Sequence, residues 1–230
     1  MSISIGTAVN FINIAAPIIS KVAPVIQTSM KGFADRLLEI SDKYPSIQKF
    51  AQMIDKAADV MGDVLYVLGV NADRADVLGV KASECKERVD DFDSAEAYIK
   101  HLTEDIKADN EKLDALTPEE RVVYSIVGMS IMAAFIGEKL GVEVSADSVE
   151  MLSKIIGAGT IAVDAAGMKE FVQKIKATGI TNMNDICDCI NGTGDSDRIK
   201  TAQSMIKVLD EIHPNEGTKI LNEIVDVVRE

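Results

Sequence analysis

Apolar residues recur every three or four positions from the start of the chain: Ile5, Val9, Ile12, Ala16, Ile19, Ala23, Ile26, Met30, Phe33, Leu37 and Ile40. That spacing predicts a long helical seam with a heptad-like period. Two prolines interrupt it, in Ala16-Pro17-Ile18-Ile19 and seven residues later in Ala23-Pro24-Val25-Ile26. A proline removes a backbone donor and its ring crowds the preceding turn, so each should kink the helix or start a new one. A second stripe follows Pro45, with Ile47, Phe50, Ile54, Ala57, Val60, Met61, Val64, Leu65 and Leu68 on one broad face, and it stops at Gly69.

The pattern weakens from Asn71 to about Val89, where Ala72, Ala75, Leu78 and Val80 predict a short helix with flexible edges. Two capping boxes follow, Asp93-Ser94-Ala95-Glu96 and Thr117-Pro118-Glu119-Glu120. In each, a side-chain acceptor and a carboxylate three residues on can satisfy the free N–H groups of a helix start. The first should open a charged amphipathic helix reaching about Leu113. The second opens a helix in which Val122 to Gly137 are all uncharged, and so apolar a segment belongs at the centre of a bundle.

Beyond it, a tract from Val149 to Met168 is interrupted by Gly157, Gly159 and Gly167, which implies close packing or a break. Short elements at Lys169 to Ala177 and Asn182 to Ile190 precede the loop Asn191-Gly192-Thr193-Gly194-Asp195. Helices near Ser196 to Ile212 and Glu216 to Val228 close the chain, separated by Pro214.

Composition agrees with the periodicity. Zero Trp, 4% aromatic residues and five Pro argue against a many-stranded sheet, and 47% hydrophobic content is ample for a core. The fold class expected is therefore all-α, a bundle of about 8–10 helices around a central apolar helix near residues 118–139. The polar stretch Lys107 to Thr117 suggests a loose boundary, giving an N-terminal helical region 1–110 and a C-terminal helical region 111–230, which can equally fold as one domain.

Charge sharpens the picture. The chain carries a formal net charge of −13, yet Met1 to Ser20 contain no charged side chain. Such a segment has to be buried in the core, in a partner or in a membrane. The acidity repels phosphate backbones and anionic lipid, which disfavours nucleic acid as a partner. Cys85, Cys187 and Cys189 are an odd set, and a disulfide across Cys187-x-Cys189 would close a strained loop, so a reducing compartment, the cytoplasm, is expected. A secretory signal would place a basic residue before its apolar run, whereas the first here is Lys21.

The chemical candidates are weak. Cys187-x-Cys189 offers two soft donors, with Cys85, His101 and His213 far away in sequence, so no metal centre and no cofactor are expected. Of the two thiols, one should be core and the other partly exposed. His101 follows Lys100 and His213 precedes Pro214, and both should face solvent. The clusters Asp90/Asp91/Asp93 and Asn191 to Asp197 lack the remaining positions of a calcium loop. No Gly-x-Ser-x-Gly, His-Glu-x-x-His or phosphate-loop motif occurs, which places an enzyme behind two other readings.

The first of these is a non-catalytic helical interaction protein, an adaptor, an inhibitor or immunity-like factor, or an assembly component. It would use an acidic surface together with an apolar N-terminal helix, whose Ile5, Val9, Ile12, Ile19 and Ile26 would meet a protein partner or a second copy. The alternative is a membrane-active protein that releases the apolar helices 3–20 and 122–137 at a bilayer.

Overall fold

The computed structural model describes residues 5–158, 165–193 and 198–229, without the side chains of 5–10, 12, 156–157 and 165–166. The described residues form twelve α-helices, two 3₁₀ turns and no strand, so the all-α class is borne out. The apolar helix expected at the centre runs Pro118–Leu140. Backbone packing divides the chain into two compact units, Met1–Phe135 and Ile136–Glu230.

The first unit opens with α1 (Ile5–Val22) and α2 (Thr28–Ile40). The seam breaks at its second proline: Pro17 sits inside α1 on the exposed side, while Pro24 lies in the turn before α2. Phe11, Ala15, Ile19 and Val22 of α1, then Ile26, Met30, Phe33, Leu37 and Ile40, form one buried row. Phe11 meets Phe50 of α3 (Ile47–Val67) edge-on, with ring centroids 5.9 Å apart. That helix begins at Ser46, whose hydroxyl accepts from Lys49 N–H at 3.3 Å. It ends as the stripe predicts, at Gly69. The φ of +92° there lets Gly69 and Val70 donate to the carbonyls of Tyr66 and Leu65, at 3.0 and 2.9 Å.

The weakly patterned stretch after Asn71 holds the short helix expected of it, and its burial explains the weak pattern. In this helix, α4 (Ala75–Glu84), only Val77 and Glu84 escape full burial. The cause is a close crossing with α7 (Pro118–Leu140): a methyl added to Gly79 would stand 2.0 Å from the Tyr124 carbonyl, and one added to Gly128 would stand 1.9 Å from that of Ala75. Glycine at both positions lets backbone approach backbone, and a helix buried all round has no stripe to read. Two charges are enclosed with it. Asp76 lies 2.6 Å from Arg121 and 3.1 Å from Arg74, and accepts from Val77 N–H at 3.0 Å. Lys81 pairs with Asp73 at 2.6 Å and donates to the Thr103 carbonyl at 3.1 Å. Burial of these ions is tolerable because each finds opposite charge and further hydrogen bonds.

The first capping box needs correcting by one residue: α5 (Ala95–Glu104) is capped by Ser94, which accepts from Ala97 N–H at 3.1 Å, and not by Asp93. This helix stops at Glu104 instead of reaching Leu113. The N–H groups of Asp105 and Ile106 both return to the His101 carbonyl, and Asp109 starts a separate short helix, α6 (Asn110–Ala115), by accepting from Lys112 N–H at 3.0 Å. The box at Thr117 forms in full: Thr117 Oγ1 accepts from Glu120 N–H at 3.2 Å and Glu120 accepts from Thr117 N–H at 2.9 Å. Pro118 takes the first helical position, where its missing donor costs nothing.

In the second unit α8 (Ala146–Gly157), α9 (Ala165–Ala177), α10 (Met183–Asn191), α11 (Arg198–Ile212) and α12 (Gly217–Arg229) pack as a bundle. Helix α11 lies against α9, α10 and α12, and α8 lies against α10 and α12. Ile186, Ile190, Met205, Leu209 and Ile224 are among its buried side chains. Two basic side chains satisfy helix-end carbonyls: Lys154 donates to Val228 at 3.1 Å and Arg229 to Ile190 at 2.7 Å. Gly159 and the loop positions Gly194 and Asp195 lie outside the described residues.

Candidate functional sites

The N-terminal residues expected to form an interaction seam divide into two groups. Ile19 and Ile26 are buried in the first unit, 6% and 5% exposed, and contact their own fold. The side chains of Ile5, Val9 and Ile12 lie outside the described residues. What α1 presents to solvent among the described side chains is Asn13, Ala16, Pro17, Ser20 and Lys21. One described helix is long and apolar enough to cross a membrane, Pro118–Leu140, and 78% of its apolar window is buried inside the fold.

A different surface gathers charge. Along α3 the positions Asp55, Asp59 and Asp63 repeat every four residues and form one row on the face opposite its apolar stripe. The row borders a cleft of about 640 Å³, closed on its other sides by Asn71 to Asp76 and by Arg121, Ser125 and Met132 of α7. Gly62 leaves the wall open, and Tyr66, 72% exposed, stands at one end. Two arginines also line the cleft, but both are held by Asp76, and Asp73 is held by Lys81. None of Asp55, Asp59 and Asp63 makes a salt bridge among the described residues. Burial pushes the Asp55 carboxyl above its ordinary value; Asp59 and Asp76 add to this, and Arg74 and Arg121 oppose it. The row is thus an acidic strip without salt-bridge partners among the described residues. Its signal lay in the polar positions between the apolar ones of α3.

A second cluster brings Cys85 and His101 together in the first unit, away from Cys187 and Cys189. Cys85 follows the last residue of α4, Glu87 lies two residues on at a bend in the chain, and His101 sits in the last turn of α5. Their donor atoms lie within 4.8 Å of one another. The Cys85 thiol donates to Glu87 Oε2 at 3.3 Å, and His101 Nε2 stands 3.7 Å from the same carboxylate oxygen. Asp105, one turn beyond His101, approaches Nδ1 to 2.9 Å. The imidazole is 19% exposed rather than solvated, because Phe92 packs on it with ring centroids 5.1 Å apart. Burial, then the neighbouring Glu87, pushes the Cys85 thiol up to about 11. A thiol so protonated is a poor nucleophile, which argues against reading Cys85, His101 and Asp105 as a catalytic triad. Hydrogen bonds from its own backbone and from Cys85 hold Glu87 below the usual carboxylate range.

In the second unit Cys187 is buried and Cys189 half-buried, as their spacing implied. Burial pushes Cys187 up to about 12, with Asp147, Asp188 and Glu150 adding to it. His213 is half-buried, not solvated: it borders an apolar cavity of about 150 Å³ lined also by Met151, Met168, Phe171, Met205 and Leu209. No protein-family model, no curated protein and no solved structure matches this chain.

Proposed function

We propose that this is a non-catalytic interaction protein, an adaptor, an inhibitor or an assembly component, that receives a positively charged protein segment in the cleft along α3. The observation that carries the reading is the row Asp55, Asp59 and Asp63, three carboxylates without salt bridges among the described residues, beside an open cleft that ends at an exposed tyrosine. An excess of carboxylates in a concave wall focuses the field outward, raises the encounter rate of a basic partner and repels acidic ones. Tyr66 supplies what charge does not: a large, stiff, amphipathic ring of the kind that dominates binding energy when covered. Three free thiols and a net charge of −13 suit a soluble protein of a reducing compartment, the cytoplasm. The seam at Ile19 and Ile26 plays no part in this proposal, since both side chains are spent on the core.

The test compares native-lysate capture by the full chain with capture by the triple variant Asp55→Asn/Asp59→Asn/Asp63→Asn. Expected is a basic protein retained by the wild type, released as salt rises, and lost from the variant; Tyr66→Ala should weaken the same complex about 30-fold. Equal retention by the wild type and by the triple variant would reject the cleft. Leakage of neutral-lipid vesicles by the wild type, with no basic protein captured, would favour the membrane-active reading instead.

A further inference from the structure

We infer that Cys85, Glu87 and His101 form a binding site for a single divalent transition-metal ion of the zinc class, with Asp105 orienting the histidine. This rests on residues separate from the acidic cleft. A tetrahedral zinc with bonds of about 2.3 Å to sulfur and about 2.0–2.2 Å to nitrogen and oxygen sets its ligand atoms about 3.4–3.6 Å apart. Two of the three separations, 3.3 Å from Sγ to Oε2 and 3.7 Å from Oε2 to Nε2, bracket that edge, and the third, Sγ to the imidazole nitrogen, is within 4.8 Å, which a rotation of the Cys85 or His101 side chain would close.

The histidine is prepared for the role. A carboxylate oxygen only accepts, so the contact with Asp105 places the imidazole proton on Nδ1 and leaves a lone pair on Nε2. That atom is buried and has no hydrogen-bond partner, a costly arrangement that a metal ion would relieve. Carboxylate, histidine and metal in line is the usual way a ligating imidazole is fixed and made more basic. Phe92 holds the ring from one face. A second orphan lies nearby: the Tyr98 hydroxyl is buried without a hydrogen-bond partner among the described residues.

Sulfur, nitrogen and oxygen from one residue each suit zinc or cobalt(II), and are too soft a set for magnesium or calcium. Three protein ligands leave one position for water. Glu87 is half exposed, which gives the ion an entry path. On binding, Cys85 releases its proton to solvent, so that the thiolate ligates the ion, and Glu87 exchanges the thiol hydrogen bond for the metal. The ion would then clamp the segment after α4 to the last turn of α5.

The experiment is titration of the chelator-treated full-length protein with cobalt(II), then displacement by zinc. Expected is one cobalt per chain with a thiolate charge-transfer band and the visible absorption of a tetrahedral ion. Cys85→Ser should abolish the band. Because Cys85 is buried, Glu87→Gln and His101→Gln provide a second line: each should weaken binding at least tenfold with helicity unchanged, and Asp105→Asn should weaken it by about 10–100-fold. Zinc should raise the Tm of the wild type and leave that of His101→Gln unmoved. The inference is overturned if the wild type gives no band. It is equally overturned if the band survives Glu87→Gln and His101→Gln, or if it disappears with Cys189→Ser instead of Cys85→Ser.

Discussion

In the first unit α4 and α7 meet backbone to backbone and enclose Asp76 and Lys81 between charged partners, whereas the bundle α8–α12 surrounds an apolar cavity of about 150 Å³ bordered by methionines. The difference is one of how narrowly each region is specified. A crossing that admits only glycine, next to ion pairs that must be complete, accepts few side chains. A core built from flexible Met and interchangeable Ile and Leu accepts many.

That contrast breaks first at the crossing. Gly79→Ala should cost about 4 kcal/mol or prevent folding, because its methyl meets backbone that cannot turn aside, and denaturant unfolding will read it. Gly32→Ala is the matched control in α2: nothing lies within 4 Å of the added methyl, so it should gain about 0.5 kcal/mol. Equal effects at the two glycines would remove the distinction. Next comes Asp76→Ala, which leaves Arg121 and Arg74 without their shared partner and should cost about 2 kcal/mol, moderated because both arginines reach water.

In the second unit Met205→Leu should cost about 1 kcal/mol or less by thermal melting, since shape changes there can be absorbed. A loss as large as that at Gly79 would show the second core to be just as exacting.

The smallest effect belongs to Asp55. Its carboxyl is raised in the folded state, so the fold binds a proton more readily than the unfolded chain, and this group favours folding as pH falls toward the ordinary carboxylate value of 3.8. At pH 7 it is therefore slightly destabilising. Asp55→Asn should raise stability at pH 7 by about 0.3 kcal/mol and flatten the local pH dependence, a modest figure because solvent screens the site. A loss of stability in that variant would mean the row is structural rather than held for a partner.

How much of this could be read from residues alone depends on what each element buries against. Helices α3 and α12 present one apolar face to a core and keep their period of three and four, so Phe50 to Leu65 and Ile220 to Val228 are legible. Caps are legible where a side chain meets its own backbone, as at Thr117. Helix α4 defeats periodicity because it is enclosed on nearly every side, and its Gly79 looks like a breaker until α7 is seen against it. The acidic cleft was half legible: the row on α3 follows from spacing, but that the nearby cations leave it unpaired depends on Asp76 holding Arg74 and Arg121 and on Asp73 holding Lys81. The Cys85 cluster was illegible, because overextending α5 to Leu113 hid the turn after Glu104 that carries Asp105, and because Cys85 and His101 meet only through tertiary folding.

The crossing of α4 and α7 also bears on descent. Neither Gly79 nor Gly128 can change by itself without displacing the opposite backbone, so an evolving lineage has almost no single-step path away from the pair. Surface charges, cap residues and the apolar filling of the second unit are free to drift far sooner. Distant cousins of this chain would therefore be recognised by two glycines on neighbouring buried helices long after every other resemblance had eroded.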